Sequence, residues 1–368
     1  MRTVKVGTPA ESRPAERRVA CVPETVSSLV DAGLTVHVQE GAGRHAHAPD
    51  AAYRAAGAHV TPEDPTSESD VVVSVQPLTI AQASALKPGA ITVSFLQPGL
   101  ERELLEVYRD RRVTSFSFDL LPRVTRAQSA DALSSQALVA GYRAVLVAAE
   151  RLPRFLPMFT TAAGTVPPAK VLVLGAGVAG LQAIATARRL GAVVEAYDVR
   201  KAAGEEVRSL GAKFLELDLE TQSGVYASVQ SEEFLERQRE LIGNHVAASD
   251  VVITTAAIPG RRAPVLVTTD MLKAMAPGSV VVDLAAESGG NYAGSVAGSE
   301  IWVGDVLVHG ALNLPSSMPV HASKLYSRNV LNLLKLMTAD GVVAPDLADE
   351  VLDGCCLTHD GQIRKELP

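Results

Sequence analysis

Apolar residues in this chain fall into short, nearly unbroken runs, separated by longer stretches in which they return every three or four positions. Val4–Val6, Leu34–Gln39, Asp70–Val75, Ile91–Leu96 and Val113–Phe118 are runs of the first kind and predict buried strands. Pro23–Ala32, Pro49–Ala56 and Thr79–Ala85 carry helical spacing, with Pro49 and Thr79 near the helix starts. Strands alternating with helices imply a parallel sheet covered on both faces, because each crossover lays a helix over the sheet.

Asp131–Glu150 is rich in alanine and leucine and free of proline, which predicts one long helix carrying the chain into a second domain. The proline-bearing stretch Leu152–Pro168 then connects to a second alternating series. Its predicted strands are Val171–Leu174, Val193–Asp198, Lys213–Leu217, Val251–Thr255 and Ser279–Leu284. Its predicted helices are Val178–Leu190, Glu205–Leu210, Glu232–His245 and Thr269–Met275. A last helical segment, Val320–Thr338, is expected to pack back on the first domain. The expected fold is α/β, two Rossmann-like doubly wound parallel-sheet domains with a cleft between them. Residues 1–133 with 318–368 form the first domain and residues 134–317 the second.

Composition narrows the function. At 368 residues, 47% hydrophobic and 20% charged, the chain has material for two cores. The net charge is −7 and no basic cluster offers a phosphate-backbone footprint, which excludes nucleic acid as a partner. Cys21, Cys355 and Cys356 are odd in number and two are adjacent, so a disulfide framework is not expected and a reducing compartment is. No Cys/His cluster has zinc spacing, and His45 with His47 supplies too few ligands; no metal is expected. The start, Met1–Ala10, is mixed and polar, unlike a signal peptide. Val171–Ala187 is too short and too glycine-broken to span a bilayer, so a soluble chain without direct membrane insertion is expected.

Val171–Gly180 reads VLVLGAGVAG: a strand, a glycine turn and the start of a helix. In such a turn Gly175 permits the tight bend, Gly177 lets the backbone approach a pyrophosphate, and Gly180 lets helix and sheet pack closely. Ala176, Val178 and Ala179 complete the loop whose free N–H groups, at the positive end of the helix dipole, suit phosphate. Asp198 ends the next strand about twenty residues on, where a carboxylate accepts from the ribose hydroxyls and repels a 2′-phosphate. This spacing predicts NAD(H) rather than NADP(H), with Val199 and Arg200 adjoining the ribose.

A second cluster, Arg123-Val-Thr-Arg126-Ala-Gln128-Ser-Ala-Asp131-Ala-Leu-Ser134-Ser-Gln136, precedes the long helix. On residue types alone Asp131 is a helix N-cap and the arginines are solvated surface; equally, a guanidinium, an amide, a carboxylate and hydroxyls suit a nicotinamide carboxamide and its ribose.

Taken with PRVTRAQSADALSSQ, AGYRAV, TAAGTVPPAKVLVLGAGVAGLQAIATARRLGA, TTAAIPGRRAPVL and DLAAESGGN, the chain closely resembles the soluble NAD(H)-binding domain of proton-translocating NAD(P) transhydrogenase, the N-terminal part of the alpha subunit. The likeness runs from Pro14–Pro23 to Cys356–Gly361. It implies that Arg123, Gln128 and Asp131 act at the nicotinamide end, with Ser134 beside them. It also implies a mobile loop whose tyrosine matches Tyr226 in Ser223-Gly-Val-Tyr226-Ala, and a cofactor contact at Ala257 in TTAAIPGRRAPVL. The family is dimeric, and the apolar, strand-like Ile301–Val308 is a candidate for that interface. Further implied are a partner subunit holding NADP(H), a membrane-spanning subunit that couples hydride transfer to proton movement, and a cytoplasmic location at the inner face of the plasma membrane. Only one complete dinucleotide fingerprint occurs here, since Gly41-Ala-Gly43 lacks the third glycine at the right spacing.

Alanine dehydrogenase shares this superfamily, the glycine fingerprint and the Arg18–Ala20 pattern, and is the competing reading. It needs a substrate-binding lysine and a catalytic histidine, because reductive amination moves protons as well as hydride. The matching strings here are Val73-Ser74-Val75-Gln76-Pro77 and Phe95-Leu96-Gln97, so Ser74 and Gln97 stand at those places. An NAD-sensing module is a third reading; it would keep the fingerprint without needing the Arg123–Ser134 cluster.

Overall fold

A computed structural model describes residues 3–217, 232–257 and 261–365. The chain divides into two units, Met1–Gln136 with Pro315–Pro368, and Ala137–Leu314. In chain order the first carries β1 (Lys5–Thr8), α1 (Pro23–Asp31), β2 (Thr35–Gln39), α2 (Asp50–Ala55) and β3 (His59–Thr61). There follow β4 (Val71–Val73), α3 (Ile80–Ala85), β5 (Ile91–Ser94), α4 (Arg102–Asp110) and β6 (Thr114–Ser117). Helix α5 (Ala132–Arg151) begins in this unit and ends in the other, which continues with β7 (Phe159–Thr161), β8 (Gly164–Val166), β9 (Lys170–Leu174), α6 (Val178–Arg189) and β10 (Val193–Tyr197). Next come α7 (Ala203–Ser209), β11 (Lys213–Phe214), α8 (Glu232–Ala247), β12 (Val251–Thr254), α9 (Thr269–Lys273), β13 (Val280–Asp283), β14 (Glu300–Val303) and β15 (Val306–Gly310). The chain re-enters the first unit with α10 (Pro319–Leu336), β16 (Thr338–Ala339), β17 (Val342–Val343), α11 (Glu350–Cys355), β18 (Cys356–His359) and β19 (Gln362–Ile363).

The first sheet runs β19-β18-β6-β5-β4-β1-β2-β3. Strands β1 to β6 are parallel, and β18 and β19 extend the β6 edge antiparallel. Period-two alternation sends Val71 and Val73 to one face and Val72 to the other. The first face packs with Val26 and Leu29 of α1, Tyr53 of α2, and Tyr326, Val330 and Leu333 of α10. The other packs with Leu104, Leu105 and Tyr108 of α4. With both faces buried the strands need no polar side, which is why they read as continuous apolar runs.

The second sheet runs β11-β10-β9-β12-β13-β15-β14, parallel except for β14 at the edge. Val171 and Val173 of β9 pack with Ala144, Val145 and Ala148 of α5 and with α6. Leu172 and Leu174 pack on the opposite face with Ile242 and Val246 of α8 and Leu272 of α9. In each unit the winding reverses beside the first strand, between β1 and β4 and between β9 and β12. The doubly wound α/β architecture expected from the alternation is thus present in both units.

Several segments differ from their sequence reading. Ile301–Val308 is a hairpin rather than one strand, because Gly304 takes φ +60 and folds β15 back on β14. Leu152–Pro168 is not merely connecting: it holds the β7–β8 hairpin, paired from Phe159↔Val166 to Thr161↔Gly164. Helix α4 had no counterpart in the predicted elements, although Leu104, Leu105 and Tyr108 share one face and are buried.

Candidate functional site

The glycine turn sits at the switch point of the second sheet, where β9 neighbours both β10 and β12 and ligands of open α/β sheets bind. Gly175 takes φ +102, and a Cβ there would lie 2.5 Å from Thr255 Oγ1. A Cβ on Gly180 would lie 1.8 Å from the Gly175 carbonyl oxygen, so helix α6 approaches the turn as only glycine allows. Gly177 is different: a Cβ there would meet nothing within 4 Å. It is the exposed N-cap of α6, and Val178 beside it is exposed too, while Ala176 is buried and Ala179 half-buried. The unpaired N–H groups of the first turn therefore border open space.

Asp198 follows β10. Its Oδ2 accepts from Ala176 N–H at 2.8 Å and its Oδ1 from Arg200 N–H at 2.8 Å. The Arg200 guanidinium also reaches both oxygens at 3.0 Å and donates to the Ala176 carbonyl. Burial alone would raise this carboxyl, but the Arg200 side chain and the two N–H donors outweigh it and hold it below its ordinary range. The glycine turn and the acid thus form one hydrogen-bonded piece. Val199 is exposed beside them.

Two residues that the motif reading did not single out frame the other side. Thr255 Oγ1 donates to the Gly175 carbonyl at 3.0 Å. Buried Asn291 accepts from Ala256 N–H at 3.0 Å and donates to the Ala256 and Pro264 carbonyls at 2.8 Å each, which fixes the backbone leading to exposed Ala257. Both lie inside family-like strings, TTAAIPG and ESGGN, but only the fold brings them together. Tyr226 lies outside the described residues.

In the first unit, a short 3-10 helix (Thr125–Ala130) precedes α5. Asp131 Oδ1 accepts from Ser134 N–H at 2.9 Å and Oδ2 from Ser134 Oγ at 2.5 Å, so Asp131 caps α5 and is tied to Ser134. Asn329 and Asn332 of α10 donate to the Ser129 carbonyl at 3.0 and 2.8 Å and pin the segment from below, with Ala127 and Ala130 buried. Arg123 and Gln128 are exposed. Arg126 instead pairs with Asp349 at 2.5 Å. Among the described residues no group of three potential metal ligands occurs.

Two doubly wound sheets, one bearing a glycine turn closed on a strand-end acid, define a dinucleotide-fold α/β protein. The chain belongs to the alanine dehydrogenase/PNT family: residues 7–140 match its N-terminal domain and residues 144–366 its C-terminal domain. It is 45% identical to the first part of NAD(P) transhydrogenase subunit alpha from Rhodospirillum rubrum, over 98% of this chain and 97% of that one. It is 29% identical to the alanine dehydrogenase of Mycobacterium tuberculosis, over 99% and 95%. The crystal structure of transhydrogenase from Sinorhizobium meliloti superposes with a TM-score of 0.90 at 46% identity, covering 98% of this chain and 99% of that one.

Proposed function

We propose that this chain is the NAD(H)-binding component of a proton-translocating NAD(P) transhydrogenase. The observation that carries the reading is the open face of Gly177 at the N-terminus of α6, joined through Ala176 N–H to Asp198. A pyrophosphate fits where a Cβ would have stood, against free N–H groups at the positive end of the helix. The ribose hydroxyls would then bond Asp198 in place of the Arg200 guanidinium, and the NAD(H) preference follows from that carboxylate.

Bound NADH would supply the hydride, and NADP+ on a partner subunit would accept it. No proton leaves carbon in such a transfer, so this chain needs no nucleophile, metal or general base; its work is to orient the ring and exclude water. Arg123 and Gln128 offer free donors for the ring's carboxamide, and Asp131, held by Ser134, offers a fixed acceptor. Ala257 and Tyr226 belong to the same proposal as further cofactor contacts. Ser74 and Gln97 argue against the dehydrogenase reading. The Ser74 hydroxyl donates to the Gln76 carbonyl, and exposed Gln97 sits in the left-handed region at φ +45, so no lysine or imidazole stands at either place.

The assembly we infer is a homodimer of this chain joined to NADP(H)-binding and membrane-spanning subunits, which hold it at the inner face of the membrane. The domain boundaries belonging to this reading are 1–133 with 318–368, and 134–317. The test mixes the purified chain and NADH with a separate NADP(H)-binding transhydrogenase domain and an NADP+ analogue. Rapid transfer requiring both proteins supports the proposal. Oxidation of NADH by the chain alone, with pyruvate and ammonium, overturns it in favour of an amino-acid dehydrogenase.

A further inference from the structure

The groups proposed to orient the nicotinamide stand on or beside Thr125–Ala130, an element poorly able to hold its own position. It is a 3-10 helix, in which Ala127 N–H donates to the Val124 carbonyl at 3.0 Å and Asp131 N–H to the Gln128 carbonyl at 3.2 Å. Such helices bond with poorer geometry than α-helices and rarely run beyond four residues. Its buried side chains are two methyl groups, Ala127 and Ala130. The Arg126–Asp349 ion pair at its flank is open to water, where such pairs contribute little.

Helix α10 supplies what the segment lacks. Nδ2 of buried Asn329 and Nδ2 of half-buried Asn332 converge on the Ser129 carbonyl, at 3.0 and 2.8 Å, so both lone pairs of one oxygen between Gln128 and Asp131 are used. Asn329 also reaches past Asp131: its Oδ1 accepts from Ser135 Oγ at 2.7 Å, and Ser135 N–H donates to the Asp131 carbonyl at 3.2 Å. One amide thus joins the end of the 3-10 helix to the first turn of α5. The two asparagines stand three apart on one face of α10, beside buried Val330 and Leu333. Asparagine is among the weaker helix formers, and a helix interior gives it no reason of its own to be there. A local preference given up twice for a single carbonyl is expected where a site must be held in place. We infer that Asn329 and Asn332 are positioning residues for hydride transfer: they fix the Gln128–Asp131 turn, and through it the groups that orient the ring. The effect on rate rests on the proposed function; the geometry rests on the first unit alone.

The test follows variants of the full chain in single-turnover hydride transfer from NADH to an NADP+ analogue on a separate NADP(H)-binding transhydrogenase domain. NADH titration and thermal unfolding are measured beside it. The pair Asn329→Ala with Asn332→Ala should slow transfer by about 30-fold, since a shift of about 1 Å at the ring is enough, while the NADH dissociation constant stays within about threefold. Asn332→Leu puts a better helix former at a half-buried place, so transfer should slow by about fivefold while the unfolding midpoint holds or rises. Adding Asp131→Asn to the pair should cost at most about threefold more, because both changes act through one turn. Losses that multiply, or an Asn332→Leu chain that transfers at the full rate, overturn the inference. If the pair variant does not fold, Asn332→Leu decides by itself. An unsubstituted chain that transfers no hydride defeats the proposed function instead. Hydrogen exchange then tests the geometry: residues 124–131 should exchange about tenfold faster or more in the variants while α10 keeps its protection, and equal exchange overturns the inference.

Discussion

At the scale of single residues, the three glycines of one turn do different things, and substitution separates them. Gly177→Val projects its side chain into open space, so the fold should persist with its unfolding midpoint nearly unchanged while NADH titration is abolished. A variant that still titrated would place the pyrophosphate elsewhere. Gly180→Ala meets the Gly175 carbonyl at 1.8 Å and should instead cost about 2–3 kcal/mol of stability, read by urea unfolding. Glu11 behaves differently again. Burial pushes its carboxyl up to about 7, against the hydrogen bonds it accepts from Val75 and Gln76 N–H; Glu16 nearby raises it further and Arg18 lowers it. The folded state therefore holds this proton more tightly than the unfolded chain does. The group's contribution to stability is greatest below pH 4.5, falls as pH rises through 7, and is level above that, by about 3 kcal/mol at most. Glu11→Gln should flatten this region of the profile in urea midpoints measured from pH 5 to 8. An unchanged profile would refute the assignment.

At the scale of elements, Asp131 shows why one residue supported two readings. It caps α5 through Ser134 N–H, and the same carboxylate stands in the segment that α10 pins through Asn329 and Asn332. Asp131→Asn keeps an N-cap acceptor and removes the charge, so stability should change little. Hydride transfer should slow by at least tenfold while NADH affinity falls less than threefold, because the group orients the ring rather than anchoring the dinucleotide. Arg123→Ala should act the same way. Equal losses of rate and affinity in stopped-flow and binding measurements would exclude an orienting role. The elements themselves were legible wherever burial on both faces wrote an apolar run, as at Val71–Val73 and Val171–Leu174. Helix α3 was legible through its cap, since Thr79 and Gln82 form a reciprocal capping box. Helix α4 was not, because charged residues surround its one buried face, and β3 is only three residues long. Thr255 and Asn291 were hidden for another reason. Their bonds to Gly175 and Ala256 join distant parts of the chain, and no local pattern records a partner 80 or 35 residues away.

At the scale of the whole molecule, the β7–β8 hairpin offers a surface to a partner, with every residue of its two strands exposed. Phe155 and Phe159 stack edge to face with centroids 4.7 Å apart, yet are 57% and 44% exposed, and Met158 is 61% exposed beside them. A two-stranded hairpin is marginal in water by itself, and large apolar side chains gathered on one mark a surface meant to be covered. For the proposed homodimer this hairpin offers a more exposed apolar surface than Ile301–Val308 does. There the buried strand β15 spends its apolar side chains on the core of its own unit, and Trp302, 65% exposed, is the one large aromatic left on the β14 edge. Replacing Phe155 and Phe159 together with serine removes two aromatic anchors without touching the glycine turn or Asp198. The dimer dissociation constant should rise by about 100-fold or more in sedimentation velocity, while NADH titrates as before. Trp302→Ser should leave the dimer intact by comparison. If the order is reversed, with the serine pair still dimeric and Trp302→Ser monomeric, the β14 edge is the interface and the hairpin must serve another partner.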